Sequence, residues 1–466
     1  MTKRVHMALV LLATLSVAGA QDYYSIRKDA RISSSYDEVA AVKYGDTVVY
    51  ATQHSEGASK PENPGGSRLF TIYQLKEGEN QPKRFLDALV AAGHNGPVSF
   101  TADFNTMVYS QLVERGTNSS MKLFFLERVD GKWVFPAREY EHNNDPYSLV
   151  TPALSADGKT LFFAANFEGG YGGWDLYVSK KKGDSWTEPE NLGSGVNTAG
   201  HEVYPFYHNM TGQLYFSSEG HDRNLAGFDL FQTKLVNGKW VEAVKLPAPF
   251  NSLSDDFHAW FSDDLKSGYL TSTRRGGTKD IFTIQTDIPN FESPEPIKKT
   301  YYTYKIFDRK LDTVDTELFR YSWVINDTLE LPGHEIIYRF PKPGVYVCKL
   351  KVFDIKLDTL LEGQTVNTLN IKLNEQAVIV CPDTVPVNTP VRFDGSETYL
   401  PGVDIARYVW DFGDGNFGQG VVHEHTYLYP GRYRVVLGVE EGTKKQKKNP
   451  DPIARSNFKD VIVLAQ

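Results

Sequence analysis

The hydrophobic pattern of the first 290 residues is a run of short apolar segments broken by polar turns. Thr151-Pro-Ala-Leu-Ser-Ala-Asp-Gly-Lys-Thr-Leu-Phe-Phe-Ala164 reads as strand, tight turn, strand, with Asp157-Gly158 as the hairpin signal. Shifted copies occur before and after it. Alignment on Ser155 places Val42, Thr101, His208 and Ser262 at the same position, at intervals of 59, 54, 53 and 54 residues. Six residues beyond each anchor comes a second apolar run: Val48-Val-Tyr-Ala51, Met107-Val-Tyr-Ser110, Leu161-Phe-Phe-Ala164, Leu214-Tyr-Phe-Ser217 and Gly268-Tyr-Leu-Thr271.

A third run reads Arg68-Leu-Phe70, Lys122-Leu-Phe124, Asp175-Leu-Tyr177, Asp229-Leu-Phe231 and Asp280-Ile-Phe282, and a fourth carries Trp133, Trp186 and Trp240. Four short strands per unit of about 54 residues describe a β-propeller blade. The last unit lacks a fourth strand before Pro289, and the first follows an unassigned strand-like stretch from Ser25 to Ile32. That stretch is expected to complete the fifth blade and close the ring, which removes exposed sheet edges. The expectation is five blades over residues 21–288, with six as the alternative. The combination of Ser155-Ala-Asp-Gly-Lys159 with Trp174-Asp-Leu-Tyr177, supported by Phe228-Asp-Leu-Phe231, resembles the WD40-like PD40 repeat of TolB-type propellers.

Beyond residues 289–299, which read as a Pro-, Asp- and Glu-containing linker, a second internal repeat begins. Arg320-Tyr-Ser-Trp323 recurs as Arg407-Tyr-Val-Trp410, and Pro343-Gly-Val-Tyr346 as Pro430-Gly-Arg-Tyr433. Alternating apolar residues follow each Pro-Gly turn, so the expectation is two immunoglobulin-like β-sandwiches, residues 300–374 and 375–466. The run Trp410-Asp-Phe-Gly-Asp-Gly415, with His425-Thr-Tyr427 and Pro430-Gly-x-Tyr433, resembles the signature of the PKD domain. The first copy departs from it at Trp323-Val-Ile-Asn-Asp327 and is read as PKD-like. The predicted fold class is therefore all-β, a propeller plus two C-terminal sandwiches.

Composition supports this reading. Aromatic residues reach 13%, with 26 Tyr and 27 Phe, as half-buried pleated surfaces favour. A net charge of −8 gives no electrostatic reason to expect nucleic acid as a partner. Residues 1–20 read as a signal peptide: Lys3 and Arg4, an apolar run from Met7 to Val17, then Ala18-Gly19-Ala20 before the cleavage point. No later run is long enough to span a bilayer. The two cysteines, Cys348 and Cys381, fall in different sandwiches; two separate thiols or one disulfide both remain open.

The search for chemistry nominates no catalytic, cofactor-binding or metal-binding residue, and the expectation is a protein that is not an enzyme. His334-Glu335 lacks the second His of a zinc-protease helix, and His423-Glu-His425 is explained by the PKD signature. Gly169-Gly-Tyr-Gly-Gly173 reads as a flexible blade loop, because no helix follows it to complete a phosphate cradle. Asp255-Asp256 and Asp263-Asp264 read as solvated turn residues, Lys444-Lys-Gln-Lys-Lys448 as a hairpin tip, and Trp174 and Trp260 as core. Asp-Thr-apolar triplets at Asp46, Asp312, Asp327, Asp358 and Asp383 resemble the O-glycosylation acceptor of exported Bacteroidota proteins.

The resemblances imply a non-enzymatic, exported scaffold of the bacterial cell envelope, periplasmic or at the cell surface. It would be held by a protein partner in the cell envelope that is associated with the outer membrane, with no direct membrane span of its own, and PD40 propellers of this kind also occur in components associated with type IX secretion. The alternative is a secreted carbohydrate- or polymer-binding protein, or a hydrolytic one, that uses the propeller centre and needs two convergent carboxylates there.

Overall fold

The computed structural model describes residues 23–53, 69–90, 94–115, 118–221, 227–309, 314–361, 365–442 and 455–465. The signal-peptide segment 1–20, the triplet at Asp312 and the basic run 444–448 lie outside these residues. Strands dominate, and the one helix among the described residues is the single turn Asp87–Val90.

Among the described residues, five antiparallel sheets make up the N-terminal region. Their innermost strands are Glu38–Tyr44, Asn95–Phe100, Leu149–Leu154, Glu202–His208 and Asp256–Phe261. Each contacts the inner strand of the next sheet, and the fifth contacts the first, so the sheets form a closed cycle. The ring is closed by Tyr24–Lys28, which pairs antiparallel with Asp280–Thr286 as the fourth strand of the fifth sheet. The aspartates that begin the third strands confirm the equivalence. Lys245 binds Asp229 at 2.7 Å within the fourth sheet, and Lys28, from the N-terminal strand, binds Asp280 at 2.7 Å in the same role.

The repeated residues have local physical jobs. Ser155 Oγ donates to Asp157 Oδ1 at 2.7 Å, the Lys159 N–H donates to the same oxygen at 3.0 Å, and the Thr160 N–H donates to Ser155 Oγ at 2.9 Å. Thr101 with Asp103 and Ser262 with Asp264 repeat this network, which fixes the hairpin between first and second strands. In the fourth sheet His208 replaces the hydroxyl, with Nδ1 2.9 Å from Thr211 Oγ1. The fourth-strand tryptophans wedge between sheets. Trp186 stacks on Phe125 at 5.5 Å, and Trp240 meets Phe162 edge-on at 5.7 Å, so each rivets its sheet to the preceding one.

Two details differ from the sequence reading. The third strand of the first sheet is Thr71–Lys76; Phe70 lies just before it, with its ring 5.5 Å from that of His94. The stretch 289–299 is not a free tether. Glu295–Pro296 pairs in parallel with the final strand, at Asn457 and Phe458, and joins the sheet of the second sandwich. The first sandwich is thereby inserted into the second: the chain leaves at Lys298 and returns at Gln376, where the Gln376 side chain bonds the Lys298 backbone.

Each sandwich pairs a large sheet with a two-stranded one. Trp323 and Trp410 are fully buried at the centres of the two cores, and their indole N–H groups donate to His334 O and Gly420 O at 3.0 and 2.8 Å. Cys348 is buried and Cys381 half-buried, and both are free thiols.

Candidate functional site

The inner strands surround a central channel, and every one of them carries a bulge at the same level. Register shifts occur at Val39/Val42, Asn95/Val98, Val150/Ala153, Val203/Phe206 and Asp256/Ala259. In four sheets the bulge places a residue in the left-handed region: Ala40, Gly96, Thr151 and Tyr204. At Gly96 a Cβ would lie 2.8 Å from that of Ala51, so only glycine fits.

The bulges divide the channel into two mouths. The mouth on the hairpin side is a cavity of about 360 Å³ to which all five sheets contribute, with Phe104, Tyr207 and Trp260 among its walls. Its titratable groups include Lys43, His208, His258 and Asp263. His258 is buried, and desolvation drops its imidazole to about 3, so it is neutral at any physiological pH. Its Nδ1 has no hydrogen-bond partner. Burial also lowers the His208 imidazole from its ordinary value, and its Nε2 lies 3.1 Å from Ser262 O, which makes it a structural strut. The opposite mouth, about 210 Å³, is lined by apolar and aromatic groups, with Phe70, His94, Trp174 and Tyr204 around it and no carboxylate among the lining residues. Trp174 and Trp260, read from sequence as core, are half-buried on these two mouths.

Besides Asp263, which is exposed at the hairpin-side mouth, three carboxylates sit at the starts of inner strands, and their oxygens are engaged. Glu202 accepts the Thr198 N–H at 2.9 Å, the Thr198 hydroxyl at 2.6 Å and the Ser218 hydroxyl at 2.7 Å. Glu38 accepts the Ser34 N–H and hydroxyl and the Thr52 hydroxyl in the same pattern. Asp256 accepts the Ser252 N–H at 2.6 Å and pairs with Arg274 at 2.6 Å. All three are buried. Asp256 therefore departs from the solvated-turn reading, because its side chain ties a loop to the inner strand. Its neighbour Asp255 caps the Phe228 N–H at 3.0 Å.

The glycine-rich loop is packed rather than loose. Asp175 accepts the N–H groups of Tyr171 and Gly172, and a Cβ on Gly172 or Gly173 would collide with Gly200 O or with the His201 ring. In the second sandwich His425 Nε2 lies 2.7 Å from Asp414 Oδ2 and its ring stacks on Phe412 at 4.3 Å, so it is a core partner. His334 immediately precedes the strand Glu335–Arg339. Among the described residues no three His, Cys, Asp or Glu side chains cluster as a metal site, and no helix is long and apolar enough to cross a membrane. Of the described Asp-Thr triplets, Thr328, Thr359 and Thr384 are exposed and Thr47 is buried.

A further site, missed by sequence reasoning, lies between propeller and second sandwich. The hairpin Asp264-Leu265-Lys266 of the fifth sheet meets the Asp411–Gly415 turn. The Tyr24 hydroxyl donates to Leu265 O at 3.0 Å and lies 3.4 Å from Gly415 O. A Cβ on Gly415 would come within 2.4 Å of Leu265 Cδ1. Lys266 Nζ lies over the Phe417 ring at 5.7 Å, and Arg407 spans from Glu440, at 2.6 Å, to Asp287, at 3.5 Å. Desolvation pushes the Asp411 carboxyl up to about 6, against the opposing pull of the Gly413 N–H and Lys266. No local sequence signal marks this junction, since the PKD turn is accounted for by its own hairpin.

Comparison with known proteins locates one module. Residues 374–454 match the family model described as the PKD domain. The chain is 27% identical over 138 residues to the collagenase ColA of Clostridium perfringens (strain 13 / Type A), covering 30% of this chain and 12% of the collagenase. Among solved structures, TolB from Acinetobacter baumannii aligns at 12% identity over 70% of this chain and 66% of its own, with a TM-score of 0.32. The endo-arabinase from Bacteroides thetaiotaomicron aligns at 13% identity over 56% and 96%, with a TM-score of 0.36. Likenesses of this size assign neither substrate nor partner.

Proposed function

We propose that this protein is a non-enzymatic scaffold of the bacterial cell envelope, exported by its N-terminal segment and held there by a protein partner that contacts the propeller. The observation that carries this reading is the state of the carboxylates. Those at the starts of the inner strands are buried and used as loop ties, which leaves Asp263 as an exposed carboxylate at the hairpin-side mouth, while the walls of the opposite mouth are aromatic and apolar and suited to contact. A periplasmic place, and membership of a secretion machine such as type IX, are part of the same proposal.

The test is a crosslinked capture from envelope fractions, comparing the natural chain with Trp174→Ala at one mouth and Phe104→Ala at the other. Recovery of one envelope protein by the natural chain, lost in either variant, supports the scaffold. Equal recovery in all three, or none in any, overturns it.

The aromatic mouth also favours a second reading, a carbohydrate-binding propeller in which Trp174 stacks on a sugar ring. Oligosaccharide binding that Trp174→Ala abolishes would establish it, and sugar release would make the protein an enzyme.

A further inference from the structure

The two sandwiches are copies of one pattern, and one is short of a strand. In the second, the segment 377–386 stitches the two sheets together. Val380 bridges Asp394 on the edge of the small sheet, and Thr384–Pro386 then pairs in parallel with the final strand at Ile462, Val463 and Leu464. Ala377, Ile379 and Val385 along this segment are buried in the core. In the first sandwich the equivalent of Pro390–Asp394 is Thr303–Phe307, and the equivalent of the final strand is Val366–Ile371. Among the described residues no strand pairs with the outer edge of either. The reason is visible in the topology. The residues that precede Thr303, which would have supplied this segment, are spent on the other sandwich through Glu295–Pro296.

The space left behind is a groove of about 730 Å³ between the two open edges, with Ile306 and Asp308 on one wall, Asn367 and Leu369 on the other, and Cys348 at its floor. The edge strand Val366-Asn-Thr-Leu-Asn-Ile371 has no charge and no proline, so it lacks the usual guards against strand addition. Its hydrogen-bonding phase is set by the Leu350 N–H, which donates to Thr365 O at 2.8 Å. In an antiparallel ladder the bonded pairs alternate, so Val366, Thr368 and Asn370 present their backbone N–H and C=O groups outward.

We propose that this groove binds an extended segment of a partner polypeptide, added in parallel to Val366–Ile371 with aliphatic side chains at alternate positions entering the core. The chain supplies its own precedent twice, since Thr384–Pro386 and Glu295–Pro296 are both added in parallel to the final strand of the second sandwich. The inward Val385 shows the residue type that fits. A second copy is a poorer occupant. Its own Val366–Ile371 edge, still tied to its sheet, could lie alongside but could not enter the space between the two sheets. The site is independent of the propeller reading above, and the two experiments fail separately.

The probe is a fluorescein-labelled peptide with the sequence of residues 376–388, carrying Cys381→Ser, titrated into the full chain and read by anisotropy. Saturable binding is expected, weakened at least tenfold by Thr368→Pro, which removes an outward N–H and leaves the ladder to Gly344–Asp354 intact. Asn367→Lys, an exposed position on the groove wall, is expected to weaken binding similarly and covers the case in which the proline variant fails to fold. A scrambled peptide is expected not to bind. Absence of saturation, or affinity unchanged in Asn367→Lys, overturns the proposal. So does a concentration-dependent dimer that Asn367→Lys abolishes, because the edge then serves a second copy.

Discussion

Glu202 shows how a residue that looks functional by its position in the fold is consumed by structure. A buried carboxylate beside a propeller channel suggests acid–base chemistry, yet its oxygens accept one backbone N–H and two hydroxyls. Removing such an acceptor leaves buried donors unsatisfied, each worth about 1–3 kcal/mol. Glu202→Ala is therefore expected to lose about 2–4 kcal/mol of stability in urea unfolding, and Glu202→Gln, which keeps one oxygen acceptor, distinctly less. Equal losses would mean that the charge, rather than the hydrogen bonds, is what the site uses. The Ser155–Asp157 pair was readable from sequence because its partners lie two to five residues apart. The partners of Glu202 include Ser218, on the adjoining strand, and nothing in a single sequence specifies that pairing.

At the level of elements, period and alternation carried most of the fold. Apolar runs recurring at a near-constant interval place most strands in their sheets, the third strand of the first sheet excepted, and an unfilled fourth position in the last unit predicts the N-terminal strand that fills it. Removing residues 21–28 should therefore uncover the edge of Asp280–Thr286, together with the buried Asp280 that Lys28 now neutralises. The truncated chain is expected to elute as oligomers in size-exclusion chromatography where the full chain does not. Lys28→Met, which keeps the strand but not the ion pair, is expected to remain monomeric and to lose stability. The strand at Glu295–Pro296 was not legible. It is two residues long, contains a proline, and pairs with residues about 160 positions later, so neither periodicity nor composition distinguishes it from a linker.

For the whole molecule, the junction between propeller and second sandwich decides whether the modules move as one body. Gly415 sits against Leu265, so an added methyl there must push the modules apart or displace Leu265. Gly415 also has a φ of +91°, so Gly415→Ala carries a local backbone cost as well. A double-mutant cycle with Leu265→Ala separates the two, and the penalty of Gly415→Ala is expected to shrink in the Leu265→Ala background. The same junction should respond to pH through Asp411. Its carboxyl is raised to about 6 by desolvation, with Asp414 and Asp264 adding repulsion and Lys266 opposing them. Between the ordinary carboxylate value of 3.8 and about 6 the folded state holds a proton that the unfolded chain has released. The contribution of Asp411 is thus fully present below that window, is lost as pH rises through it, and is flat above. Urea unfolding of the natural chain and of Asp411→Asn at several pH values from 4 to 8 isolates this term, because the other titrating groups are common to both. The difference in stability between the two proteins is expected to change across pH 4–6 in the direction that weakens the natural chain, and to be constant above pH 7. A difference independent of pH would place Asp411 in contact with water rather than beneath the propeller.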